Sequence, residues 1–414
     1  MRPDPPPGPY LIIGLARSGA AAAILLRDRG ETVLAADVGS PPVPEGIEAS
    51  LGSDGLELLE RAACVVKSPG VPNEAPAIAA ARERGIPVLG EVELAWRLLP
   101  NRFVAVTGTN GKTTTVELLG AIWRAAGQPV AMAGNVGTPL SSLVGSVPAA
   151  ATVVCEVSSF QAEDSLDFAP ELALLLNLEE DHIDRHGSVE AYREAKLRVF
   201  RNQGPGDVAV VPAGFGPVPG EGRRIEFGDP AELPLAPEDV RLRGPHNLEN
   251  AMGASAVALA AGVASDAVAL ALREFAGVPH RLEEVALTDG VLWVNDSKAT
   301  NVASAARGIG SFEGGVHAIL GGSLKGGGFA GLREVVGARC RAAYLIGEAT
   351  GDLARDLEGT ATLHHSGDLE TAMRDAAAAA RPGDTVLLSP ACASFDQFRD
   401  YEDRGERFRA LVPG

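Results

Sequence analysis

Three things are scarce in this chain. Aromatic residues make up only 5% of it, four of its 414 residues are cysteine, and 36 Lys and Arg face 54 Asp and Glu. Few aromatics among abundant alanine and glycine suit tightly packed helices on parallel sheets, an α/β globule. The cysteines (Cys64, Cys155, Cys340, Cys392) show no C-x-x-C pairing and no zinc spacing, so they read as small buried hydrophobes in a reducing compartment. The formal charge of −18 argues against a nucleic-acid-binding surface, while leaving room for a local basic pocket. No apolar run is long enough for a membrane span, because the stretch starting at Tyr10 is broken by Arg17 and Arg27. The proline-rich MRPDPPPGPY lead-in lacks the basic region and cleavage site of a signal peptide. The expectation is a cytoplasmic protein without membrane insertion.

What is present centres on RFVAVTGTNGKTTT (Arg102–Thr115). An apolar strand, Phe103–Val106, runs into a glycine turn, then a lysine and three threonines open a helix. Small glycines let backbone N–H groups close around a phosphate, and the helix N-terminus adds its positive end. Lys112 supplies a point charge for outer phosphates and Thr113 a hydroxyl for magnesium. The spacing departs from G-x-x-x-x-G-K-[ST], since Val106 stands where the first glycine belongs.

Before this loop, Tyr10–Ile13 and Thr32–Ala36, the latter ending at Asp37, flank GLARSG and an alanine-rich helix, a βαβ opening with Ala16 where G-x-G-x-x-G wants a glycine. That turn suits a dinucleotide, a diphosphate or nucleotide portion of a substrate, or a structural role alone. Strands Cys64–Lys67 and Pro87–Leu89 follow, the first leading into SPGVP. After the loop come strands Val130–Ala133, Thr152–Glu156 and Leu172–Leu176, a helix Val189–Val199, and Asp207–Val211 with Arg223–Phe227, read as antiparallel edge elements. A helix over GPHNLENAMGASAVALAAG carries His246, Asn247 and Asn250 at its start. A third unit beginning near Pro279 holds strands Trp293–Asn295, His317–Gly321, Ala342–Ile346 and Thr385–Ser389.

Chemistry gathers at strand ends. Glu156 sits where a Walker-B-like carboxylate holds magnesium beside Thr113. His182 beside Asp181 reads equally as a metal ligand, a base or a structural histidine. Lys196, on a helix, reads as solvated surface. Asp296, Lys298 and Thr300 form a polar turn suited to a second substrate or a ribose. Lys325 lies in a glycine-rich turn that suits an anion or plain surface, and Arg281 can reach a nucleotide phosphate.

Taken in order, GTNGKTTT, AGNVGTP, EVSSFQ, NLEEDHIDRHG, YREAKLRVF, GPHNLENAMGA, PHRLE, NDSKATN, GGSLKGG and SPACASFDQF resemble the Mur ligase family, ATP-dependent amide-bond ligases of peptidoglycan assembly. GLARSG, the SPG turn, NDSKATN and SPACASFDQF are most similar to the branch that joins D-glutamate to UDP-N-acetylmuramoyl-L-alanine. The resemblance implies a Rossmann-like UDP-sugar domain over 1–91, a central P-loop ATPase domain with a parallel sheet over 92–278, and a Rossmann-like amino-acid domain over 279–414. A monomer is the expectation. ATP would be held by Gly108, Thr109, Asn110, Gly111, Lys112, Thr113 and Thr114, with Asn250, Arg281 and Asp296 facing the nucleotide. Thr113 and Glu156 would bind one Mg2+, and His182 and a carbamylated Lys196 a second, which reverses the surface reading of that lysine. Ser18, Gly70, Asn135 and Ser158 would contact the UDP-muramoyl substrate. Lys298, Thr300, Lys325, Ser394 and Tyr401 would surround D-glutamate or the reacting carboxylate. Where better-known members place a uracil-stacking arginine this chain has Gly39, with Arg17 as a substitute. Another Mur-type ligase, a folylpolyglutamate-type ligase, a UDP-sugar-sensing module and an NAD-dependent dehydrogenase are the alternatives.

Overall fold

Strand β1 (Tyr10–Ile13) is a run of four buried apolar residues whose side chains alternate between two cores. Tyr10 and Ile12 join one cluster, Leu11 and Ile13 the other, as a strand covered by helices on both faces requires. The structure is a computed structural model that describes residues 2–324 and 328–413. It forms two compact units, Met1–Val240 with His246–Phe275, and Arg241–Pro245 with Ala276–Gly414.

The first unit contains two sheets. In the first, β1 leads to α1 (Arg17–Asp28), β2 (Val33–Asp37), β3 (Glu48–Leu51), β4 (Cys64–Lys67), α2 (Pro76–Glu83) and β5 (Val88–Gly90). The order is β3-β2-β1-β4-β5, all parallel, a Rossmann arrangement whose switch point lies between β1 and β4. The turn after β1 and the SPG turn after β4 therefore sit side by side, and the Ser68 hydroxyl donates to the Gly14 carbonyl at 2.8 Å.

Helix α3 (Glu91–Leu98) enters the second sheet. This comprises β6 (Arg102–Thr107), α4 (Lys112–Ala125), β7 (Val130–Gly134), β8 (Thr152–Glu156), α5 (Ser159–Glu163), β9 (Leu172–Leu175), α6 (Ile183–His186), α7 (Val189–Leu197), β10 (Val208–Pro212), β11 (Arg223–Phe227), α8 (Pro245–Ala260) and α9 (Ser265–Glu274). The order is β11-β10-β9-β6-β8-β7. The expected antiparallel edge is corrected: β10 pairs in parallel with both β9 and β11, Val208 opposite Arg223. The Gly/Pro-rich stretch 213–222 does not make a hairpin; it carries the chain back to the start of the next strand without a helix. Because β6 lies between β9 and β8, its end faces the ends of both.

The second unit holds β12 (Glu283–Thr288), β13 (Val291–Asn295), α10 (Val302–Gly310), β14 (Val316–Gly321), α11 (Arg333–Arg339), β15 (Cys340–Ile346), α12 (Thr350–Asp356), β16 (Thr362–Gly367), α13 (Leu369–Ala379), β17 (Thr385–Leu388) and α14 (Tyr401–Leu411). Its sheet runs β12-β13-β17-β14-β15-β16, parallel except for β12 at the edge. Cys64, Cys155 and Cys392 are buried as expected, whereas Cys340 is partly exposed, since it opens β15 at the sheet's margin.

Two buried devices weld the sheets of the first unit. Glu93 of α3 accepts the backbone N–H groups of Leu166, Asp167 and Phe168 and pairs with Arg97 at 2.8 Å. Lys67, at the end of β4, forms a wholly buried ion pair with Asp164 at 2.8 Å. Burial pushes the Asp164 carboxyl up and the Lys67 charge pulls it back. Replacing Lys67 by Ala strands a buried carboxylate, with an expected loss of roughly 3–5 kcal/mol in chemical denaturation. The double change Lys67→Met with Asp164→Leu should recover most of it. A single variant within about 1 kcal/mol of the parent would remove this pair from the account.

Candidate active site

The phosphate loop is built at the carboxyl end of β6. Gly111, at φ 82°, turns the chain into α4, and a Cβ there would lie 2.1 Å from Asn250 Oδ1. Only glycine accepts both that backbone and that neighbour. Asn177, at the end of β9, grips the loop from the side. Its Oδ1 accepts the Asn110 N–H at 2.9 Å and its Nδ2 donates to the Asn110 carbonyl at 3.2 Å. The Asn110 side chain donates to Glu179, and Thr109 shares its hydroxyl with Tyr192 at 2.9 Å.

Glu156, at the end of β8 and 3% exposed, accepts the Thr113 hydroxyl at 2.8 Å and Asn135 Nδ2 at 3.0 Å. Hydroxyl and carboxylate oxygens are the donor set a hard cation takes, so these residues fit magnesium. Thr114 lies in the first turn of α4, beside Thr113.

Two lysines converge on one oxygen. Lys112 Nζ donates to the Gly108 carbonyl at 2.8 Å and to that of Thr109 at 3.0 Å, while Lys196 Nζ donates to the same Gly108 oxygen at 2.8 Å. Lys196 is 2% exposed, with its amine 4.7 Å from the Tyr192 ring centroid, so the surface reading of this helix position is overturned. Burial first, and the Lys112 charge second, pull its pKa down to about 7, against the opposing charges of Asp181 and Glu156.

His182 caps α6 in a left-handed backbone, φ 51°, its ring against Phe160 and its Nε2 3.5 Å from Asp181. About half exposed, it is not held as a buried structural histidine would be. No three His, Cys, Asp or Glu side chains converge as a metal cluster among the described residues. Ser158 caps α5 and exchanges hydrogen bonds with Gln161, so a substrate has to compete for its hydroxyl. Ser18 and Gly70 lie on the carboxyl edge of the first sheet, where Arg185 of α6 donates to the Gly70 and Val71 carbonyls. Arg17 donates to the Gly137 carbonyl of the AGNVGTP loop.

In the second unit the strand-end residues also gather. Asp296, just past β13, accepts from the Ser389 hydroxyl at 2.8 Å and the Leu282 N–H at 3.2 Å. Lys298 Nζ stands 3.5 Å from the Tyr401 ring centroid, and the Thr300 N–H bonds the Lys298 carbonyl. Ser394 is buried. Lys325 lies outside the described residues. Non-glycine residues with positive φ fall at His182, His280, Leu282 and Ala391, all within or next to the sequence motifs, and at Asp289 in the β12–β13 turn. Such strain is kept where the surroundings enforce it. Asn177 and Tyr192 were not singled out from sequence. Both lie inside the quoted motifs, but their work on backbone and hydroxyl groups leaves no charge pattern.

Gly111→Ala should weaken binding of a non-hydrolysable ATP analogue by about tenfold or more in calorimetric titration, given roughly 1–3 kcal/mol of strain. Unchanged affinity would contradict the loop assignment. Burial pushes Asp296 up to about 7, against an unfolded value of roughly 3.9. Between about pH 4 and about pH 7 the folded chain therefore holds a proton the unfolded chain has lost, and stability falls as pH rises through that window. Asp296→Asn should flatten this slope in denaturation series, and an unchanged slope would exclude Asp296 as its source.

This chain matches the Mur ligase MurD-like N-terminal domain over residues 9–90, the Mur ligase middle domain over 106–214, and the Mur ligase glutamate ligase domain over 280–392. It is 40% identical to UDP-N-acetylmuramoylalanine–D-glutamate ligase of Acidobacterium capsulatum over 439 aligned positions, which cover 97% of this chain and 95% of that protein. Identity to the same-named protein of Anaeromyxobacter dehalogenans is 44%, covering 97% and 96%. Among solved structures, UDP-N-acetylmuramate–alanine ligase from Thermotoga maritima shares the fold with a TM-score of 0.57 at 17% identity, over 97% of this chain and 98% of that one. With near-complete coverage at such identity, and three domain matches in the order of its three sheets, the chain belongs to the Mur ligase family.

Proposed function

We infer that this chain is an ATP-dependent ligase that adds D-glutamate to UDP-N-acetylmuramoyl-L-alanine in peptidoglycan precursor synthesis. The observation that carries the chemistry is the convergence of Lys112 and Lys196 on the Gly108 carbonyl, beside the Thr113–Glu156 pair. Lys112, at the N-terminus of α4, suits triphosphate oxygens, and Lys196 beside it stands ready for the conversion proposed below. The near-full-length likeness to D-glutamate ligases supports the acceptor over a folylpolyglutamate-type reading. We propose the domain division at 1–91, 92–278 and 279–414, and a cytoplasmic monomer.

In the proposed reaction an oxygen of the substrate's terminal carboxylate attacks the γ-phosphorus of ATP and ADP leaves. The resulting acyl phosphate is then attacked at its carbonyl carbon by the neutral amine of D-glutamate. The C–O bond to phosphate breaks, the amine loses a proton, and an amide and inorganic phosphate result. Phosphorylation is needed because a carboxylate oxygen is a poor leaving group. Lys112 is assigned to neutralise the phosphate anion, and Lys298 to neutralise a carboxylate. Magnesium, when bound by Thr113 and Glu156, spreads the phosphate charge. Ser18, Gly70, Asn135 and Ser158 are assigned to the UDP-muramoyl substrate, and Asn250, Arg281 and Asp296 to the nucleotide. Thr300, Lys325, Ser394 and Tyr401 are assigned to the acceptor. For a second ion, with His182, Lys196 must become an anion. Its pKa of about 7 supports that conversion, since carbon dioxide adds only to a neutral amine.

Phosphate release should appear with ATP, magnesium, UDP-N-acetylmuramoyl-L-alanine and D-glutamate together, and with no other amino acid in a panel. Release with another acceptor would keep the ligase and reassign the second unit; no release with any would overturn the reading. Lys112→Ala should abolish release. Lys196→Ala should lose most activity and regain part of it with added short carboxylates, which stand in for the carbamate. An unimpaired Lys196→Ala enzyme would end the carbamate proposal.

A further inference from the structure

Arg404 is the least expected charge in the molecule. It is 0% exposed, and its donors go to Ser297 Oγ at 3.0 Å and to the carbonyls of Ser297 at 2.9 Å, Ala393 at 3.2 Å and Cys392 at 3.2 Å. None of these four hydrogen bonds goes to a carboxylate, and the Asp396 charge only partly offsets the burial of the guanidinium. A buried guanidinium satisfied almost wholly by backbone is costly, and the fold keeps it only where its geometry is used.

Its contacts join two turns far apart in sequence. Ser297 precedes Lys298 and Thr300 in the turn after β13, and Cys392 and Ala393 precede Ser394 in the turn after β17. The turn after β14 is tied in as well: the Ser323 N–H donates to the Ala393 carbonyl at 3.0 Å, and a Cβ on Gly322 would meet Arg404 Nη1 at 3.2 Å. The first turn of α14 completes the latch, because the Ser297 hydroxyl donates to the Tyr401 carbonyl at 2.7 Å while accepting from Arg404 Nε. Tyr401 in turn presents its ring to the Lys298 ammonium.

We propose that Arg404 is a positioning residue for the acceptor amino acid, locking the Lys298–Thr300 turn, the Ser394 turn and Tyr401 into one arrangement. This rests on the acceptor assignment above. The fork of a guanidinium is what the task requires, since several carbonyls at fixed angles have to be held at once and an ammonium presents its donors from a single point. The buried positive charge also favours a dicarboxylate at the turns it holds. Burial pulls the group down to about 10, which leaves it charged at neutral pH.

Steady-state kinetics of the full chain test this with Arg404→Met, Arg404→Lys and Ser297→Ala, each checked by thermal unfolding. Arg404→Met should raise KM for D-glutamate at least tenfold while KM for ATP stays within about twofold, and Arg404→Lys should recover part of the loss. Ser297→Ala, a milder change for the case in which Arg404→Met does not fold, should raise the same KM several-fold. Folded variants with an unchanged acceptor KM, or with all parameters falling together in step with the folded fraction, would reduce Arg404 to a structural role. If the parent turns over only with another amino acid, the acceptor assignment fails and the same comparison is made with that acceptor. A parent inactive with every amino acid overturns both.

Discussion

Two ammonium groups sharing the Gly108 carbonyl oxygen is the constraint on which the rest of the first unit depends. Like charges held together at a nearly dry position repel, and the repulsion is relieved in two ways. An anion can bind between them, or one amine can give up its proton. The loop invites the first through the N-terminus of α4. The burial of Lys196 invites the second, its pKa brought to about 7. The first route suits phosphate oxygens, and the second leaves Lys196 a neutral amine, the form that the proposed carbamate requires.

Holding that tension requires a rigid frame. Asn177 on one side of the loop and Glu156 on the other stand at the ends of the two strands that flank β6, so sheet order itself sets their spacing. The Lys67–Asp164 pair and the Glu93 network then fasten the first sheet to the second. As a result the SPG turn that serves the UDP-sugar assignment is fixed relative to the His182 turn through Arg185. The second unit solves a similar problem differently. Its turns are tied by one buried arginine instead of by sheet order alone.

The parts legible in sequence were those with a period or a charge signature. Strands β1 and β8 fall where apolar runs end in glycine or carboxylate, β4 falls where one ends in Lys67 and the SPG turn, and the phosphate loop stands out despite Val106 in place of a glycine. Edge strands were harder. β12 was missed because its half-exposed pattern has no continuous apolar run, and β11 was given the wrong direction because short Gly/Pro connections usually make hairpins. Lys196 read as surface because its helix is polar by composition, and only packing under the loop buries it. The motif resemblance corrected that reading in advance. Arg404 left no signal: YEDRGERFR is rich in charge, and nothing in it marks which arginine turns inward.

Oxygen tracing tests the central claim most directly. UDP-N-acetylmuramoyl-L-alanine labelled with 18O in its terminal carboxylate is incubated with ATP, magnesium and D-glutamate, and the released phosphate is analysed by mass. Attack of the carboxylate on ATP carries one labelled oxygen into each phosphate, and the account predicts that stoichiometry. Unlabelled phosphate would mean that water, not the substrate, receives the phosphoryl group, and would contradict the acyl-phosphate ligation assigned to this site.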